Sequence, residues 1–132
     1  MKNIALFIFS IISFAVNAQP GSLDNTFGTG GKVTTDFGNG NDWGTSVAIQ
    51  GDGKIVVAGT AYNNSNYEFA LIRYNSDGGL DNTFGSGGKV TTDFGYNTVV
   101  LSVAIQSDGK IVVAGWGPIG SSNFILIRYN RK

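Results

Sequence analysis

The sequence contains neither cysteine nor histidine, and the two absences remove whole classes of chemistry. Without histidine there is no Ser-His-Asp or Cys-His relay and no His-ligated metal. Without cysteine no disulfide can staple the fold, so stability has to come from sheet packing. A lipid-modified cysteine at an export cleavage site is excluded as well. Proline occurs only twice. Charge is sparse and balanced, nine Lys and Arg against nine Asp and Glu, which leaves no electrostatic footprint for nucleic acid or an acidic membrane surface. Long apolar runs are missing apart from Ile4–Val16, whose thirteen residues fall short of the roughly 20 that span a bilayer. With Lys2 before it and Val16-Asn17-Ala18 after it, this run reads as the core of a signal peptide, residues 1–18, cleaved before Gln19. The expected mature chain, 19–132, has 114 residues, a net charge of −1 and no membrane span. That length suits one domain, and its expected destination is secreted, cell-surface or periplasmic.

What the sequence does have is glycine and repetition. Twenty glycines are about twice the ordinary ~7% usage, with neither a collagen period nor coiled-coil heptads. LDNTFGTGGKVTTDFG at 23–38 returns at 80–95 with one change, Thr29 against Ser86. SVAIQGDGKIVVAG (46–59) returns at 102–115, and FALIRYN (69–75) returns as FILIRYN at 124–130. The offsets are 57, 56 and 55 residues, so each of two connecting loops is one residue shorter in the second copy. Two tandem units result, about 23–79 and 80–132.

Each unit holds four strand-like runs. Lys32–Phe37 alternates Val33, Thr35 and Phe37 against Lys32, Thr34 and Asp36, the period of two of a strand with one better-buried face. Thr45–Gln50 and Lys54–Gly59 flank Gly51-Asp52-Gly53, a hairpin signal, because the tight turn needs a positive φ that glycine accepts. Phe69–Asn75 follows after a polar loop, and Lys89–Phe94 repeats the first run. The mature chain carries no helical periodicity. IVVAG and FALI are apolar on both faces, as strands covered on both sides are. Four-stranded antiparallel units with doubly covered middle strands are the blades of a β-propeller-like array. An eight-stranded β-sandwich is the alternative, but it predicts cleaner inside/outside alternation. One complete blade is expected over 45–94, with Lys32–Phe37 an orphan outer strand and 101–130 a blade lacking one.

LDNTFGxGGKVTTDFG, SVAIQxDGKIVVAG and FxLIRYN together resemble the delta-60 repeat of exported bacterial proteins, over about residues 21–130. The resemblance implies β-propeller-like arrays and no common biochemical activity. Members usually carry more repeats than two.

Candidate chemistry is thin, and no catalytic residue or cofactor is expected. Asp24, Asp36, Asp42, Asp77 and Asp81 could supply paired carboxylates, yet Asp52, Asp77 and Asp108 precede glycine as turn residues do. Asn75, Asp77 and Asp81 match part of an oxygen-rich calcium loop, but Arg73 stands where the first ligand belongs. Arg73 and Arg128 recur and are expected to form structural ion pairs, with Asp93 or with a neighbouring blade's acid. Comparing the repeats with one another is more informative. One rim, GDGK/SDGK and LDNTFG, is nearly identical in both. The other reads GNGNDWG against GYNTVVL, and TAYNNSNYE against WGPIGSSN. Trp43, Tyr62, Tyr67, Tyr96 and Trp116 fall on this variable rim, either as a recognition surface or as caps on the blade ends. The expected function is a non-enzymatic exported binding or structural module that meets a glycan, peptide or surface component there. A carboxylate-based hydrolase and a truncated fragment of a longer array are the alternatives. Two blades leave bare apolar faces, so self-association into a ring of three or four copies is also expected.

Overall fold

The computed structural model describes residues 19–38, 40–119 and 121–131; the expected signal segment, 1–18, lies outside them. The strands are β1 (Trp43–Ile49), β2 (Ile55–Tyr62), β3 (Tyr67–Tyr74), β4 (Lys89–Thr92), β5 (Val99–Ile105), β6 (Ile111–Ile119) and β7 (Ser121–Tyr129). They form two antiparallel sheets, ordered β1-β2-β3-β4 and β5-β6-β7, and no helix occurs among the described residues. The meander order follows from local signals. At the β1–β2 turn Gly53 takes φ +82° and donates its N–H to the Gln50 carbonyl at 2.9 Å. A three-residue loop ending on a left-handed residue is a common hairpin connection. Gly109, also at φ +82°, does the same between β5 and β6.

The sheets pack face to face, with β5 lying against β1, β2 and β3. Val56, Ala58, Phe69 and Leu71 of the first sheet meet Val100, Val103, Ile111, Val113 and Ile125 of the second in one core. Full burial of a Val, Leu or Phe side chain contributes about 1.5–3 kcal/mol, so this junction is the main apolar contribution to the fold. Two side-chain hydroxyls stitch it. Thr60 Oγ1 accepts the Val100 N–H at 3.2 Å and Ser46 Oγ accepts the Val103 N–H at 3.2 Å. Both sheets share an irregularity in the first hairpin, Gly44/Ser46 and Val100/Ser102. There Gly59 lies so close to the Trp43 carbonyl that a Cβ would overlap it, and Gly115 stands in the same relation to Val99.

Lys32–Phe37 is not a strand. Lys32 makes isolated bridges to Gly28 and Thr29, and the rest of the segment joins no ladder. The alternation is nonetheless real: Val33, Thr35 and Phe37 are half-buried while Lys32, Thr34 and Asp36 are exposed. A strand needs a neighbour for its N–H and C=O groups, and none stands beside this one among the described residues. Its contacts show what position it occupies. Thr35 Oγ1 and the Tyr74 hydroxyl share a hydrogen bond at 2.6 Å, and Thr92 of β4 bonds Tyr129 in the same way at 2.7 Å. Lys32–Phe37 therefore rests on the first sheet as β4 rests on the second. It holds the place of an outer strand from a preceding blade.

Candidate functional site

The rim that is nearly identical in both repeats is built by aspartates that cap their own turns. Asp24, Asp52, Asp77 and Asp108 each accept a backbone N–H from two residues on; Asp36 and Asp93 do the same at the opposite ends of the strands. That is the local bond that makes Asp a turn residue. Asp81 does this too, through Thr83, but it is buried, and it anchors Arg73. The guanidinium Nε donates to Asp81 Oδ2 at 2.7 Å, and Nη1 donates to the Arg131 carbonyl at 2.6 Å and to Gln50 Oε1 at 3.4 Å. The Phe84 ring lies 4.4 Å beneath the guanidinium carbon. Lys54 Nζ approaches the same carboxylate at 3.1 Å. The Thr83 hydroxyl, above all, holds Asp81 well below the usual carboxylate range; burial opposes it, and Lys54, the Thr83 N–H and Arg73 add to it. Arg73 thus pairs within its own blade, with Asp81 rather than Asp93.

The same network engages the oxygens of the calcium candidates Asn75, Asp77 and Asp81. Asn75 Oδ1 accepts from Lys54 at 2.9 Å, Asp77 Oδ1 accepts from the Gly79 N–H at 2.9 Å, and Asp81 is shared by two cations. A Ca²⁺ ion wants 6–8 oxygens; these oxygens are already committed and two positive charges stand among them.

At the other ends of the strands lie the aromatic candidates. Trp43 opens β1, Tyr62 closes β2 and Tyr67 opens β3, so all three sit at the end of the sheet remote from Asp52 and Asp77. Their rings touch. The Trp43–Tyr67 and Tyr62–Tyr67 centroids are both 5.0 Å apart and tilted. Asp42 fixes the cluster from below, accepting the Phe37 N–H at 2.7 Å and the Tyr62 N–H at 3.3 Å. A cleft lined by Thr35, Phe37, Asp42 and Trp43 opens beside it. Strand register puts Val99, Pro118 and Ser122 at the corresponding places of the second sheet. The ring cluster is therefore a property of this one rim and not of the blade framework.

The remaining two aromatics are not part of it. Tyr96 packs against Phe94, centroids 5.9 Å apart, and against Gly117, inside the junction between sheets. Trp116 takes the register position of Thr60 and is partly exposed. Sequence comparison of the rims found the rings but not Asp42's part in holding them. Its only signal was an acid immediately before Trp43 in a loop of glycine and asparagine.

Two blade-like sheets with a shared hairpin geometry and a face-to-face junction define a propeller-type repeat module. Residues 50–84 and 106–131 match a family model described as "Domain of unknown function (DUF5122) beta-propeller". The two matched segments cover corresponding parts of the two repeats. No curated protein matches the chain.

Proposed function

We propose that the chain is an exported, non-enzymatic binding module of the delta-60 type, and that the Trp43–Tyr62–Tyr67 rim is its recognition surface. The observation that carries this reading is the ring cluster itself. Three aromatic side chains, with Trp43 43% exposed, stand together at loop ends where the repeat framework demands none. Large aromatic rings carrying a polar edge supply contact area and hydrogen bonds at low entropic cost, which is why they concentrate at recognition surfaces. The phenol hydroxyls of Tyr62 and Tyr67 beside the touching rings suit a ligand with both apolar faces and hydroxyl or amide groups. A glycan fits that description best, and an extended peptide second.

A glycan array and a peptide array, probed with the chain and with Trp43→Ala, test the proposal. The expected result is a defined ligand class that Trp43→Ala loses by at least tenfold and Trp116→Ala keeps. A panel of hydrolase substrates run beside them gives the opposing outcome: turnover abolished by Asp42→Asn would replace the binding reading with a carboxylate enzyme.

A further inference from the structure

The molecule contains one complete junction between blades and, on its two outer faces, the separated halves of another. In the complete junction Phe69 and Leu71 of β3 are both 0% exposed, covered by β4 and the second sheet. Their counterparts on β7, Phe124 and Leu126, are 98% and 73% exposed. The far side of the first sheet shows the complementary half. Val47 of β1 is 61% exposed, whereas its counterpart on β5, Val103, is 8% exposed because it packs into the junction. Ile49 is also exposed, and its counterpart Ile105 packs against the same core.

The polar elements are split in the same way. Arg73, 3% exposed, is held by Asp81, with Thr83 and Phe84 beside it. Its counterpart Arg128 is exposed. Asp24, Thr26 and Phe27 repeat Asp81, Thr83 and Phe84 in sequence. Asp24 already accepts the Thr26 N–H at 2.9 Å and hydroxyl at 2.7 Å, as Asp81 does from Thr83 at 3.1 and 2.6 Å. Unlike Asp81, which holds the Arg73 guanidinium and the Lys54 ammonium, exposed Asp24 bonds only Thr26 through its carboxylate among the described residues. Lys32–Phe37 follows it, held in the place of an outer strand but unpaired, while β7 offers an outer edge with no strand beside it among the described residues. Such an edge is a template for pairing with another chain, and apolar faces of this kind mark association sites.

We propose that a second copy of this chain covers the outer face of β5-β6-β7, in a head-to-tail contact that repeats the junction between the chain's own two sheets. Register follows from β3 and β4, where Phe69, Ala70, Leu71 and Ile72 face Thr92, Thr91, Val90 and Lys89. Phe124, Ile125, Leu126 and Ile127 of one copy therefore pair with Thr35, Thr34, Val33 and Lys32 of the next. Arg128 meets Asp24 of that copy over its Phe27 ring, and Val47 of that copy enters the junction as Val103 does. The contact is heterologous, so it closes only by rotation into a ring. Propeller rings take about 4–8 blades, and two-blade copies complete one with two to four chains.

Native mass spectrometry of the chain, with light scattering over the micromolar range, reads the assembly. The expected result is a single closed oligomer. Leu126→Lys blocks one half-site and Val47→Lys the other. Both residues are exposed within the chain, so circular dichroism should find both variants folded, and each alone should be monomeric. Mixed, they should form a heterodimer and nothing larger, because each retains the half-site that the other has lost. A monomer at high micromolar concentration would overturn the proposal, whatever else covers that face, including further blades or a different protein. An oligomer that survives either substitution, or a mixture that stays monomeric, would overturn it equally.

Discussion

Removing the carboxylate of Asp81 should destabilise the chain far more than removing that of Asp24, although the two sit in identical hexapeptides. Asp81 is 3% exposed and takes the Arg73 Nε–H at 2.7 Å. Asp81→Ala leaves a guanidinium at 3% exposure with the neutral acceptors Gln50 Oε1, Thr83 Oγ1 and the Arg131 carbonyl and no counter-charge. Breaking a buried pair from one side costs about 3–5 kcal/mol. A domain of this size shifts its midpoint by about 3–6 °C per kcal/mol, so Tm should fall by roughly 10–30 °C. Asp24 lies in solvent, bonded only to Thr26, and Asp24→Ala should leave the midpoint unchanged. Thermal melts followed by circular dichroism at pH 7 make the comparison, in a Leu126→Lys background so that assembly does not enter. The double variant Arg73→Met/Asp81→Leu supplies the internal check. Replacing both charges by apolar groups removes the orphaned ion, so it should melt above Asp81→Ala. Equal midpoints for Asp81→Ala and Asp24→Ala, or a double variant below the single one, would refute the argument.

Acid should act through the same carboxylate. Its folded-state pKa is depressed below the ordinary 3.8, so its stabilisation is fully present above about pH 4 and drains away as pH falls through the lower folded value. Tm measured down this range should drop more steeply for the native chain than for Asp81→Asn, and parallel slopes would show that another group controls acid unfolding. At the β1–β2 irregularity, Gly59→Ala drives a methyl into the Trp43 carbonyl, a backbone clash of the kind that costs several kcal/mol. Soluble yield and Tm should both fall, while Gly51→Ala, where a Cβ meets nothing within 4 Å, should be tolerated.

The sequence yielded the blades because their signals are local and occur twice. A left-handed glycine after aspartate sets each hairpin, and apolar runs on both faces require a sheet with two neighbours. What it could not place were features made by distant or unrepeated contacts. The Arg73–Asp81 pair was out of reach because Asp93 and Asp81 lie equally plausibly along the chain. Only the depth of the loop after β3 chooses between them. The five rim aromatics look alike in sequence, but strand register gathers Trp43, Tyr62 and Tyr67 and turns Tyr96 inward against Gly117.

Lys32–Phe37 is the most instructive case. Its sequence is identical to that of β4 and its residues alternate in burial as a strand's do, yet it forms no ladder. Propensity and pattern specify the conformation a segment can adopt, while a strand exists only where a partner edge meets it. The segment is held instead by side chains, through Thr35 on Tyr74 and Lys89 on the Asp36 carbonyl and the Phe37 ring. Those contacts hold it strand-like with no paired strand beside it among the described residues. Pre-ordering of this kind lowers the entropy that pairing would otherwise have to overcome, so a strand-shaped segment without a ladder is what a half-built junction should look like.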